Sequence, residues 1–431
     1  KSLFYGVDFW QIGQEKARES RVLLTNHAYL LTRLEDDKSL IEGRILVVDE
    51  AQKLFLALES FSQKSLKMTQ LLQTIQQEIL CVDSLLERRL LESLQFELSQ
   101  LVEVFHSEKT SEVGERTLLR LRQDLSELPV HYLPELRELL DPRYEQFWLE
   151  DEYFEQYRVT SLHAARLSLM NFQDFLPDKA RLFFISATLE ISRKVNLAQL
   201  LGFADYQSYH LPAKNHHQQR IWVDKDFPDL LDLPLARHAQ LIADRIENLQ
   251  SLNLPILVLF TSKELLLEVS ERLTVSHLAQ YKNGEASNIK RRFDRGEASI
   301  LLGTGSFWEG TDFYSQDKMI QIITRLPFDN PQNVFTQKMN RQLRQEGQNP
   351  FYDYSLPVAI LRLKQALGRT VRHRKQQSAV LILDNRVYTK RYSRQIRGVL
   401  SKTAPIEQSS FNQIRQDIGL YFKNKIVKKK N

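Results

Sequence analysis

The stretch "RILVVDEAQKL", Arg44–Leu54, decides how the rest of the chain is read. Apolar residues Ile45 to Val48 run into two adjacent carboxylates, Asp49 and Glu50, and the chain then turns polar and helix-prone. That pattern predicts a buried parallel strand delivering both carboxylates to the carboxyl edge of a sheet, where open α/β sheets bind ligands. Carboxylates so placed suit a magnesium ion, which takes one or two of them together with waters and substrate phosphates.

Outward from this stretch, similar apolar runs fall into two clusters. The first adds "RVLLTNH" (Arg21–His27) and "RLFFISAT" (Arg181–Thr188). The second holds "RIWVD" (Arg220–Asp224), "PILVLFTS" (Pro255–Ser262), "ASILLGTGS" (Ala298–Ser306), "MIQIITRLP" (Met319–Pro327) and "SAVLILDNR" (Ser378–Arg386). Near-continuous apolar runs are expected of parallel strands covered on both faces. Helical patterns between them, such as "KELLLEVSERL" behind a Thr/Ser cap, argue for α/β domains with parallel sheets. Between the clusters, residues 55–160 are rich in Leu, Gln, Glu and Lys. Their long helical periodicity predicts an all-helical insertion. Its end, "YEQFWLEDEYFEQY" (Tyr144–Tyr157), is read as a helical aromatic stripe in the core, too acidic for direct DNA contact. The expected division is a first α/β domain over 1–54 and 161–213, interrupted by that insertion, and a second over 214–431.

Composition sets the class. The 431 residues are 42% hydrophobic and 26% charged, ordinary for a globular protein with more than one domain. No apolar run is long enough to span a bilayer, and the first residues lack the pattern of a secretory signal. The single cysteine, Cys81, rules out a disulfide or a four-thiolate iron–sulfur cluster made by this chain alone. Its helical flank "QQEILCVDSLLERRL" predicts a buried, inert thiol. A reducing cytoplasm is the expected compartment. Net charge is +5, compatible with a polyanionic partner. The basic tail "YFKNKIVKKKN" reads as a solvated end.

Taken singly, the polar strings at the strand ends are common in proteins; their order is not. "VVDEAQ" is followed, beyond the insertion, by "FISATL", and then in the second domain by "VLFTS", "LLGTGSFWEGTDF", "RLPFDNP" and "LKQALGRTVR", with "LLTNHAYLL" upstream of all of them. This series resembles the DinG/XPD branch of superfamily 2 DNA helicases over nearly the whole chain. The resemblance implies two RecA-like motor domains, the first incomplete and interrupted by an arch-like insertion. ATP and magnesium are the implied cofactors, and single-stranded, forked or displaced-strand DNA the implied partner, with movement 5′ to 3′. In this reading Asp49 holds magnesium and Glu50 polarises the attacking water. Arg369 and Arg372, three apart on one helix, offset charge on the transferred phosphate, and Gln365 shares their face. Ser186 and Thr188 link the nucleotide to domain movement, and Glu309 and Asp312 connect the nucleotide and DNA sites. Gly303, Gly305 and Gly310 allow close backbone approach. Thr261, Ser262, Thr304, Ser306, Phe307 and Trp308 are the candidate contacts to single-stranded DNA, with interface packing the equal alternative for the two rings. His27 in "TNHAYL" carries a family signature, although a lone histidine is more often a packing or hydrogen-bonding residue.

One part is missing. A phosphate loop reads Gly-x-x-x-x-Gly-Lys-Ser/Thr, and none of the glycines here is followed by lysine. Lys1-Ser2 resembles the end of such a loop, but Gly6 and a run of aromatics follow where a helix should begin. The resemblance puts the loop farther upstream, so this chain is expected to hold half of an ATP site and to hydrolyse ATP poorly by itself. Gln52 stands where the family usually has histidine, and the glycine that commonly follows the Asp312 motif is absent. The rival reading is a non-catalytic module that binds single strands or a partner. The retained Asp49, Glu50, Gln365, Arg369 and Arg372 count against it.

Overall fold

The computed structural model describes residues 13, 15–17, 19–154, 157–192, 195–211, 218–231, 233–313, 315–371 and 375–423. The chain divides into two compact units. The first comprises Lys1–Leu189, Leu197–Tyr206 and Asn330–Gln348; the second comprises Glu190–Asn196, Gln207–Asp329 and Asn349–Asn431.

In the first unit, helix α1 (His27–Asp36) precedes strand β1 (Ile45–Asp49) and helix α2 (Ala51–Phe61). Then come β2 (Gln63–Lys67), α3 (Met68–Cys81), α4 (Leu85–Glu108), α5 (Glu115–Glu127), α6 (Pro134–Leu139), β3 (Gln146–Phe154), β4 (Tyr157–Ala165), β5 (Arg181–Ile185) and α7 (Leu197–Leu200). β1 pairs with β5 in parallel, Asp49 opposite Ile185. "RVLLTNH" was expected to add a strand; it is irregular instead, with Val22 and Leu24 exposed, and runs into α1 at His27. The pair therefore has one apolar face in solvent, with Ile45 58%, Val47 54%, Phe183 58% and Ile185 53% exposed. Parallel strands normally have both faces covered.

The insertion is not all-helical. β2, β4 and β3 form an antiparallel sheet in that order, and the segment read as a helical aromatic stripe is the hairpin β3–β4. The sheet also carries the insertion past residue 160, to Ala165. Aromatic residues favour the pleated surface, and the hairpin's acids find partners within the unit. Trp148 donates its indole N–H to Glu150 (3.2 Å), and Thr160 donates to Asp151 (2.7 Å). The helices do pack as their periodicity predicts. Leu91, Leu94 and Leu98 of α4 meet Leu71 and Ile75 of α3 and Leu121 and Leu125 of α5 in one core. Burying each leucine is worth about 1.5–3 kcal/mol. Cys81 is exposed, against expectation. The buried stripe Met68–Leu71–Ile75 continues to Val82, one residue on, which turns the thiol away from the core.

In the second unit the elements are β6 (Gln219–Asp224), α8 (Leu235–Gln250), β7 (Ile256–Leu259), α9 (Lys263–Arg272), β8 (Leu278–Ala279), α10 (Ala286–Asp294), β9 (Ile300–Gly303), α11 (Ser306–Glu309) and β10 (Lys318–Ile323). Helix α12 (Val334–Gln345) belongs to the first unit, where the Lys338 ammonium is buried against Gln146 (3.0 Å) and Glu112 (3.2 Å). The second unit resumes with α13 (Leu356–Leu367), β11 (Gln377–Ile382), α14 (Arg386–Thr389), α15 (Ser393–Thr403), β12 (Ile406–Ser409) and α16 (Phe411–Lys423). Its seven strands form one parallel sheet, in the order β12-β6-β11-β10-β7-β9-β8. All the strands expected of the second cluster are present; β8 and β12 were too short or too polar to be read. Helices α8, α9 and α16 cover an apolar core that includes Trp222, Ile256, Val258, Ile320 and Leu381. No helix among the described residues is long and apolar enough to cross a membrane.

Candidate functional site

The first unit's candidates gather at the carboxyl ends of β1 and β5. Asp49 ends β1 and is exposed, and one of its carboxylate oxygens accepts the Glu50 amide at 2.9 Å. Glu50 adopts a left-handed backbone (φ 47°, ψ 50°), uncommon for a residue with a side chain, and pairs with Lys53. His27, first in α1, donates from Nε2 to the Asp49 carbonyl (3.1 Å), and Asn26 caps the helix by accepting the Tyr29 amide (2.8 Å). The "TNH" string thus fixes the end of the strand that bears the carboxylates.

Ser186, just past β5, donates to the side-chain carbonyl of Gln52 on α2, and accepts the Thr188 amide at 3.0 Å. With its proton committed to Gln52, Ser186 takes the Thr188 hydroxyl proton as well (3.0 Å). Gln52 supplies the acceptor that ties the Ser-Ala-Thr turn to the Asp-Glu strand. An exposed carboxylate at a strand end, with oxygen capacity left over, fits the donor set that magnesium uses alongside waters and phosphates.

The second unit holds the remaining candidates. Gln365 is buried on α13, and its Oε1 has no hydrogen-bond partner among the described residues. The helix stops at Leu367, so Arg369 lies in the turn beyond Gly368 and does not share a helical face with Gln365 as expected. Arg369, 4% exposed, donates to Asp312 (3.1 Å) and to the Trp308 carbonyl (3.4 Å). Arg372 and the side chain of Glu309 lie outside the described residues.

Thr261 is exposed beyond β7, and Ser262 caps α9 by accepting the Leu265 amide. Ser306 is exposed at the start of α11, whereas Thr304 is buried between Tyr281 (2.7 Å) and Gln280 (2.8 Å to its amide). Phe307 and Trp308 are buried too, and the indole N–H donates to the Phe260 carbonyl at 2.8 Å. Both rings pack inside the unit. Gly305 takes φ 46° at the entry to α11, open to glycine at no steric cost. Gly303 answers to crowding: a Cβ there would sit 2.3 Å from the Phe307 ring. Gly303→Ala is expected to cost roughly 1–3 kcal/mol by overpacking, read as a lower urea midpoint with unchanged slope.

A second acid stands at a strand end. Asp384, beyond β11, is fully buried and accepts from the Arg386 side chain (2.6 Å) and the Leu326 amide (2.8 Å). "LILDNR" follows the same apolar-to-acid pattern as "ILVVDE", and that signal could have found it. His238 of α8 is near this group. Burial first, then Arg325, pushes its pKa down to about 4, while Asp384 opposes the shift. A histidine held neutral in the fold but free to protonate when unfolded makes stability fall as pH drops from 6.5 toward 4. Between pH 7.5 and 5 the wild type should lose about 2 kcal/mol more than His238→Leu, measured by urea unfolding.

Comparisons with known proteins place the chain among helicase-like sequences and folds. The helicase C-terminal domain family matches residues 246–403. The 3′-5′ exonuclease DinG of Bacillus subtilis is 29% identical over 249 residues, which is 54% of this chain and 27% of that protein. The ATP-dependent DNA helicase YoaA of Escherichia coli is 24% identical over 88% of this chain and 66% of its own length. The YoaA of Haemophilus influenzae is 29% identical over 50% of this chain and 34% of its own length. The chain thus spans less than two thirds of the length of these curated relatives. Among solved structures, an XPD helicase superposes with TM-score 0.57 at 17% identity, covering 86% of this chain and 69% of its own. The Xpd4 structure of S. tokodaii gives 0.59 at 16%, covering 88% and 81%. The matched region carries a helicase C-terminal domain model, the chain is similar in sequence to DinG and YoaA proteins, and its fold is that of the XPD structures.

Proposed function

We propose that this chain is the motor part of an ATP-dependent, cytoplasmic DNA helicase of DinG type, moving 5′ to 3′ on single strands and opening forked or displaced-strand DNA. The observation that carries the reading is the hydrogen-bonded set at the ends of β1 and β5, where Gln52, Ser186 and Thr188 are joined beside Asp49 and Glu50. An isolated strand end has no need of that arrangement. Asp49 would hold magnesium, which when bound neutralises phosphate charge. Glu50 would orient and accept a proton from water. Arg369 would offset charge on the transferred phosphate, with Gln365, Glu309, Asp312 and Arg372 assigned to the same chemistry by motif. Thr261, Ser262 and Ser306 would meet DNA phosphates.

The phosphate loop would come from sequence outside these residues. The bare apolar face of β1 and β5 supports that reading, because such a face normally carries further structure. The second reading, a non-catalytic single-strand-binding module, is favoured by one observation: no Gly-Lys-Ser/Thr loop occurs in the 431 residues. The intact mass of the protein in its own cells separates the two. A mass well above 50.6 kDa, with DNA-stimulated ATP hydrolysis, is the expected result. A mass near that value, with no hydrolysis, would leave the binding module.

A further inference from the structure

A cluster of aromatic rings in the second unit joins one motif residue, Phe328 of "RLPFDNP", to three rings that lie outside the quoted motifs. Phe328 follows "RLP", Phe351 and Tyr352 lie in a π-helical turn (Pro350–Ser355), and Tyr392 precedes α15. Phe328 stacks on Phe351 at 5.7 Å and 24°, and Tyr392 meets them at 5.6 and 5.1 Å. Tyr352 packs edge-on against Phe351 at 5.2 Å. None of the four is fully buried, and Tyr352 is 43% exposed. A cluster serving only the core would close over its rings. Single-turn π-helices recur at functional sites. This one is held rigidly: the Asn349 side chain accepts both the Phe351 and the Tyr352 amides at 3.1 Å, and its own amide donates to Asp353 at 2.7 Å.

The charges point the same way. The Arg386 guanidinium sits 5.7 Å from the Phe328 ring centre. Three acids of this region are paired with cations, Asp384 with Arg386, Asp329 with Arg362 and Asp229 with Lys390, while Asp353 accepts the Asn349 amide. Arg325 is exposed in part and makes no hydrogen bond or close ion pair among the described residues, its charge facing Arg386 and, at longer range, Asp384. It directly follows Thr324 at the carboxyl end of β10. Topology favours that spot, because the chain leaves β7 toward β8 and β9 on one side of the sheet, but leaves neighbouring β10 toward β11 on the other. Ligands of open parallel sheets bind where the connections diverge in this way.

We propose that these rings and Arg325 form a nucleotide subsite for single-stranded DNA, in which a base stacks on the ring cluster at Tyr352 and a phosphate meets Arg325. The combination of stacking surfaces with a cation that makes no close ion pair is what sequence-tolerant single-strand binding requires. This subsite rests on the DNA-motor reading, gives a role to Arg325 and Phe328 of "RLPFDNP", and adds Phe351, Tyr352 and Tyr392, which the motifs do not supply.

The test is fluorescence anisotropy of the full-length protein with a labelled fifteen-nucleotide thymidine strand and with an abasic strand of equal length, at several salt concentrations. Tyr352→Ala is expected to weaken thymidine-strand binding about 5- to 30-fold and to leave the abasic strand unaffected, while Tyr352→Trp stays near wild type. Arg325→Gln should weaken both strands and flatten the salt dependence by about 0.7 in slope, which Arg325→Lys restores. Wild-type binding of the thymidine strand that Tyr352→Ala leaves unchanged, or that falls equally on the abasic strand, overturns the subsite alone. A wild-type protein that binds neither strand overturns the DNA-motor reading itself. Unchanged circular dichroism and melting of the variants separate these results from misfolding.

Discussion

Arg369→Ala in the full-length protein is expected to lower ATP turnover by about 10³- to 10⁵-fold, the range seen when a guanidinium that stabilises phosphoryl transfer is removed. The loss should fall on turnover and spare single-strand binding. Arg369 also has a structural part, since it pairs with Asp312 and reaches the Trp308 carbonyl. Removing one partner of a buried ion pair can cost about 3–5 kcal/mol. Asp312 is partly exposed, so water can take up its freed carboxylate and the cost should be smaller. Two variants separate the roles. Arg369→Lys keeps the charge but loses the planar fork, and should stay deeply impaired. Asp312→Asn removes the partner's charge, and should perturb melting more than Arg369→Lys does. A folded Arg369→Ala protein with wild-type turnover would remove Arg369 from the phosphate chemistry.

Glu50→Gln should lower turnover by about 10²- to 10⁴-fold while ATP binding persists, because the amide keeps the shape but cannot take a proton. The backbone adds a separate expectation. Glu50 holds a left-handed conformation that costs about 1–2 kcal/mol for a residue with a Cβ. Its pair with Lys53 is solvent-facing and returns less than about 1 kcal/mol. Strain kept at a half-exposed carboxylate beside a strand end is the reason to test Glu50 for a role in function. Glu50→Gly should therefore melt no lower than the wild type and still fail to turn over ATP. A Gly variant that is both inactive and clearly less stable would mean that Glu50 is kept for the fold.

Much of this was legible in the sequence, where the information is local. Five of the seven strands of the large sheet were readable because the central strands are buried on both faces and almost wholly apolar, as in "ILVL" and in "MIQII", where Gln321 is the one polar residue. The carboxylates were readable because a strand end is marked by the residue that stops the apolar run. The end of α13 before Arg369 was also local, but the periodicity through "LKQALGRTVR" outweighed Gly368 in the reading.

What the sequence could not settle depends on partners far along the chain. The acids of β3 look solvated until Thr160 and Trp148 are seen to donate to them. Lys338 looks like a surface lysine, yet it is buried against Glu112, 226 residues away. The rings at Phe328, Phe351 and Tyr392 come from three separate segments and share nothing in sequence. The amino-acid order determined the strands, their ends and the succession of motifs, because those follow from burial and spacing within a few residues. Only the tertiary structure decided which distant side chains satisfy one another, because the partner that makes a buried charge or a stacked ring stable is supplied by folding and not by its neighbours in the chain.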